Sequence, residues 1–175
     1  REGGVVPVSA RTPHTFEKLG PIYQQLGLAV SPDDCRLALR GLQTLSVRLD
    51  ALERGTLQVA RWLVDQPIVS HVFHPALPDC PGHDHWVRDW SGSASIFSFT
   101  FAAQVAPEQV VTFLNALAIF KIGLSWGGVN SLAVVYPDLK RPTQDFGGRI
   151  VRLNIGLETP EDLINDLSQA MQAVL

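Results

Sequence analysis

Cysteine is scarce: Cys35 and Cys80 stand far apart in 175 residues, which excludes a disulfide framework. They read as buried or incidental thiols of a reducing compartment, so a cytoplasmic location is expected. Long apolar runs are absent too, none approaching the roughly 18 residues of a membrane span, and the charged start Arg1-Glu2 is not a secretory leader. Basic blocks are missing, and with a net charge of −3 the electrostatic footprint of a nucleic-acid binder is not there. Neither a membrane nor a nucleic acid is therefore expected as a partner. No Gly-x-Ser-x-Gly nucleophile elbow occurs, and no glycine pair makes a phosphate-cradling loop that opens a helix. Lysine is rare as well. Lys18, Lys121 and Lys140 are the only ones, and none lies in the apolar, strand-bounded setting that lowers an amine pKa for Schiff-base work.

What is present is a globular balance, 46% hydrophobic and 18% charged residues, enough for one sizeable domain with a real core. The chain opens without methionine on the strand-like Val5-Val6-Pro7-Val8, as a piece cut from something longer would. A helix is expected from about residue 15 to 28. Ser31-Pro32-Asp33-Asp34 then starts another, with a hydroxyl cap, a proline at the first helical position and acids in the first turn. From Leu42 the residues Leu45, Leu49, Leu52, Thr56, Val59 and Leu63 recur at threes and fours. That spacing predicts a long helix lying across a domain, or a coiled coil that pairs with a partner as a non-enzymatic binding module. Strands are expected over 68–73, 97–101, 131–136 and 150–155, helices from Pro107 to Leu117 and from Thr159 onward, and a proline-rich loop over 75–82. Strands spaced between helices point to a layered α/β domain.

Two clusters of residues invite a chemical reading. In Ile150–Ile155 the apolar Val151, Leu153 and Ile155 alternate, which sends Arg152 and Asn154 to the opposite face. An arginine fixed on a strand clamps a carboxylate well, because its planar fork meets two oxygens. It serves equally as one half of a surface ion pair on an edge strand. The second cluster is His71, His74, Cys80, His83, Asp84 and His85. Zinc accepts such ligands, but the spacing is irregular and no second cysteine pair is present, so these read as loop histidines at a domain surface or subunit contact, with no metal.

Five stretches occur in order: Arg40-Gly41-Leu42-Gln43-Thr44-Leu45, His74-Pro75-Ala76-Leu77-Pro78, Asp89-Trp90-Ser91-Gly92-Ser93, Ser125-Trp126-Gly127-Gly128 and Arg152-Leu153-Asn154-Ile155-Gly156-Leu157-Glu158. Together they resemble the C-terminal part of the Cys/Met-metabolism family of pyridoxal-phosphate enzymes, from near residue 5 to the end. Trp126 leans toward the family's β-lyase branch, since the γ-synthase and γ-lyase branches usually carry Ser-Leu-Gly-Gly. The resemblance implies a fold-type I architecture. Residues 1–40 would be the tail of the large cofactor-binding domain, 41–66 a long linking helix, and 67–175 a small α+β C-terminal domain with an antiparallel sheet covered by helices. It implies pyridoxal phosphate as cofactor, an amino-acid substrate and a homo-oligomer, a dimer of dimers. The implied reaction is β-elimination of cystathionine to homocysteine, pyruvate and ammonia, a transsulfuration step of methionine biosynthesis. Arg152 matches the arginine that binds the substrate α-carboxylate, and Ser125 and Trp126 match neighbours lining that pocket. The cofactor-holding lysine and the phosphate loop of the family lie upstream of the matched region, so the chain alone is expected to be inactive. Leu124 stands where a tyrosine is common and Asn130 where a glutamate is.

Overall fold

A computed structural model describes residues 13–27, 30–141 and 144–174. The strand-like stretch at residues 5–8 lies outside them. The chain divides between Ser46 and Val47 into two compact units. The first holds α1 (Pro13–Leu26) and α2 (Pro32–Leu42). Gly27 follows α1 at φ +60°, a left-handed conformation suited to ending a helix. Ser31 caps α2 as its sequence predicts: its Oγ accepts from the Asp34 N–H at 3.1 Å.

The single long helix expected from residue 41 is interrupted. Gln43 and Thr44 form a turn, in which the Thr44 N–H reaches back three residues to the Gly41 carbonyl at 3.4 Å, and α3 runs over Leu45–Val64. Leu52, Thr56, Val59 and Leu63 are buried, and Val59 and Leu63 join the second unit's own core, where a coiled coil would leave them to a partner. Leu42, Leu45 and Leu49 are exposed.

The second unit continues with β1 (Val69–Phe73), α4 (His83–Asp89), β2 (Ile96–Phe101), α5 (Pro107–Ala116), β3 (Lys121–Ile122), β4 (Leu132–Val135), the hairpin β5 (Lys140–Arg141) and β6 (Gln144–Asp145), β7 (Ile150–Asn154) and α6 (Pro160–Gln172). Five strands make one sheet in the order β1-β2-β7-β4-β3. Its pairings are antiparallel, as expected, except that the two-residue β3 joins β4 in parallel. One face carries Phe97, Phe99, Phe101, Ala133, Val151 and Leu153 into a core with Val59 and Leu63 of α3, Val110 and Phe113 of α5, and Leu163 and Leu167 of α6. The valine, leucine and phenylalanine side chains buried this deeply contribute about 1.5–3 kcal/mol each. Phe99, Phe101 and Phe113 meet edge to face at 5.1–6.2 Å.

Asp166 of α6 ties the layers together. Its carboxylate accepts from the N–H groups of Ala118, Ile119 and Phe120 at 2.8–3.1 Å, which fixes the chain entering β3.

Candidate functional site

β7 is the central strand, and Arg152 sits at its middle, opposite Ser98 of β2 and Val134 of β4. Val151, Leu153 and Ile155 are fully buried while Arg152 is only half-buried, so the two faces separate as the alternation predicts. The ion-pair alternative on an edge strand is overturned on both counts. The strand is central, and among the described residues no carboxylate pairs with Arg152.

The guanidinium is instead oriented by a loop. Nη2 donates to the Leu124 carbonyl at 2.6 Å and leans toward that of Ser125 at 3.4 Å. Cζ lies 5.6 Å from the ring centres of both Trp126 and Tyr136, within cation–π range. Arg152, Ser125 and Trp126 are thus brought to one corner. Ser125 meets Arg152 through its backbone, and the Trp126 indole is 63% exposed. From Arg152 a cleft of about 410 Å³ opens along the sheet face, lined also by Phe73, Ser98, Tyr136, Arg141 and Phe146. Among the described residues its lining holds two guanidinium groups and no carboxylate. Nε and Nη1 of Arg152 are not engaged by the loop carbonyls, which leaves donors for an incoming anion.

The loop before β4 is latched to the end of β7. Asn154 Oδ1 accepts from the Gly127 N–H at 2.8 Å and from Ser95 Oγ at 3.0 Å, while Nδ2 donates to the Asn130 carbonyl at 3.1 Å. The Leu157 N–H donates to the Val129 carbonyl at 2.9 Å. Glu158 takes both the N–H and the hydroxyl of Ser131, at 2.9 and 2.8 Å, and Ser131 Oγ accepts from the Gly156 N–H. Gly127 has φ +75°, a conformation that favours glycine. Reading the sequence placed Asn154 on the Arg152 face but gave it and Glu158 no role. Tyr136 was missed altogether, since nothing in the sequence says which strand end folds over Arg152.

The histidines do not assemble a site. Among the described residues no three His, Cys, Asp or Glu side chains converge. The expectation of surface loop histidines fails for His74, which is 0% exposed. Its Nδ1 accepts from the Ala76 N–H at 3.2 Å and its ring packs edge-on to Phe97. Burial holds its pKa below the ordinary imidazole value; Glu53 pulls it up and Arg61 pushes it down, both by lesser amounts. His83 bonds the Pro75 carbonyl and stacks on Trp86, whose indole N–H donates to Gly92 O, so the segment is a knit corner. Both cysteines are free: Cys35 is exposed, which fits the incidental alternative and not the buried one, and burial raises the pKa of the half-exposed Cys80. Among the described residues no helix is long and apolar enough to cross a membrane.

Residues 3–172 match the family described as Cys/Met metabolism PLP-dependent enzyme. The chain belongs to that family. It is 36% identical to the cystathionine beta-lyase of Haemophilus influenzae, over 98% of this chain and 44% of that protein. To the cystathionine beta-lyase of Bordetella avium it is 43% identical, over 89% of this chain and 40% of the relative. Its structure resembles that of an O-acetylhomoserine sulfhydrylase from Wolinella succinogenes, with a TM-score of 0.73 and 27% identity over 89% of this chain and 42% of the other. The chain therefore spans less than half the length of these Cys/Met-metabolism relatives.

Proposed function

We propose that this chain is the substrate-carboxylate part of a pyridoxal-phosphate-dependent carbon–sulfur lyase that cleaves cystathionine by β-elimination to homocysteine, pyruvate and ammonia. The observation that carries this is Arg152: a guanidinium with no acidic partner among the described residues, on a central strand, oriented by a loop carbonyl beside an open cleft. Its fork would hold the substrate α-carboxylate by paired charge-assisted hydrogen bonds. Holding that end fixes the direction of the bond that breaks at the α-carbon, so positioning is this chain's contribution to rate. Trp126 and Tyr136 flank the grip and shield it on two sides. Pyridoxal phosphate, when bound, supplies an electron sink for the charge that develops at the α-carbon.

The residues present fit the substrate side of such a site. Among the described side chains they offer no enclosed lysine: Lys18 and Lys121 are both exposed. The cofactor-holding residues are accordingly proposed for the part of the whole protein outside this chain, with residues 1–40 as the tail of that domain, 41–66 as the link and 67–175 as the small domain. A cytoplasmic dimer of dimers acting in transsulfuration completes the proposal. Leu124, where a tyrosine is common, leaves the substrate within the family open, and the similarity to a cystathionine gamma-lyase of Rattus norvegicus supports a second reading in which γ-elimination gives cysteine, 2-oxobutyrate and ammonia. Product analysis with cystathionine separates the two.

Arg152→Lys in the full-length protein tests the carboxylate role. It keeps the charge and loses the fork, so kcat/KM should fall about 30- to 1,000-fold, about 2–4 kcal/mol of transition-state binding. A fall of less than about threefold removes the role.

A further inference from the structure

We infer that Asn154 is a positioning residue, whose buried carboxamide holds the loop that orients Arg152 toward a carboxylate. The inference rests on the reading of Arg152 given above. Arg152 and Asn154 stand two apart on β7, opposite Val134 and Leu132 of β4, so both side chains face the loop that leads into β4. Arg152 takes the near end of that loop through the Leu124 carbonyl. Asn154 takes its middle and far end through the Gly127 N–H and the Asn130 carbonyl.

The loop has little else to hold it. Residues 124–130 are all exposed, and it contains the pair Gly127-Gly128, whose backbone freedom makes ordering costly. Besides those to Asn154, its hydrogen bonds among the described residues are the two from Arg152 and the Leu157–Val129 backbone bond. A carboxamide accepts at one end and donates at the other, so it serves the Gly127 N–H and the Asn130 carbonyl together, which a carboxylate, an acceptor only, cannot do. Asn154 is 1% exposed, so its bonds form without competing water and are costly to leave unmade. Without the latch the Leu124 carbonyl loses its fixed place and the long arginine side chain regains rotamers, so carboxylate binding must then restore an order that is now built in.

The test compares two probes on the full-length protein, L-alanine and L-alaninamide, by equilibrium titration. Asn154→Ala should weaken L-alanine about tenfold while L-alaninamide, which lacks the carboxylate, shifts less than about twofold. Placed in an Arg152→Lys background, the same change should add less than about twofold, because both act through one grip. Equal losses on the two probes, or additive losses in the double variant, overturn the inference and leave Asn154 a structural residue. If Arg152→Lys selectively weakens L-alanine while Asn154→Ala does not, the latch alone fails and the carboxylate reading stands. If Arg152→Lys shows no such selectivity, both fall. Asn154→Ser, smaller and still polar, reaches fewer partners and should give the same selectivity at smaller size, so a poorly folding alanine variant leaves the outcome decidable.

Discussion

An imidazole with no exposed surface must stay neutral or disrupt its surroundings, and His74 is in that position. The Ala76 N–H donates to its Nδ1, which puts the ring proton on Nε2, and among the described residues Nε2 has no hydrogen-bond partner. The neutral ring is favoured in the fold, so the folded pKa lies below that of the unfolded chain. The unfolded state then binds the extra proton first. Stability from this residue is present above about pH 6.5 and is lost as pH falls from there through the folded value. Denaturant titrations between about pH 7.5 and 5 should show the native protein losing stability relative to His74→Phe, which carries no such proton. A constant difference across that range removes His74 as the cause. The same scale shows what a sequence conceals. Alternation along β7 gives away the face of Arg152, but His-Pro-Ala-Leu-Pro reads as a surface turn, because nothing local reveals that Phe97 will close over the ring. The three N–H groups gathered by Asp166 are likewise hidden, lying 46–48 residues away in sequence.

Elements with a strong period or a cap were legible: α2 from Ser31, α6 from its apolar stripe, and β2 and β7 from alternation. Two-residue strands such as β3, β5 and β6 have no period to detect and exist only through their partners. The turn at Gln43-Thr44 escaped notice because neither residue breaks helices strongly; there a continuous stripe of leucines ran across a real interruption. Where β7 passes into α6, the glycine in the middle of the motif has a steric reason. A Cβ on Gly156 would collide with the Glu158 carboxylate and the Val129 carbonyl, and both are already committed to hydrogen bonds with the chain around the loop. Gly156→Ala should therefore push the strand end and the loop apart. It is expected to cost about 1–3 kcal/mol, as overpacking usually does, and to lower the melting temperature by several degrees. Gly128→Ala, with open space around its Cβ position, is the control that should melt within about a degree of the native protein.

At the scale of the molecule, the division of labour is the central question. The sheet face that carries Arg152 offers a cation, aromatic walls and an oriented loop, which under the proposed function would grip a substrate by its acid end. A site that also held pyridoxal phosphate covalently would need a lysine whose amine is desolvated enough to be neutral near working pH. Lys18 and Lys121 are exposed, so neither lies in the desolvated setting that such a lysine needs. Incubating the 175-residue chain with pyridoxal phosphate and reducing with borohydride should accordingly give sparse labelling spread over the lysines. The full-length protein should give one stoichiometric adduct, at a lysine outside these residues, located by peptide mapping. A single stoichiometric adduct on Lys18, Lys121 or Lys140 would place the cofactor on this chain and reverse the assignment of roles. Arg152 would then have to act beside the cofactor's own anchor, and its carboxylate role would need to be argued again from that geometry.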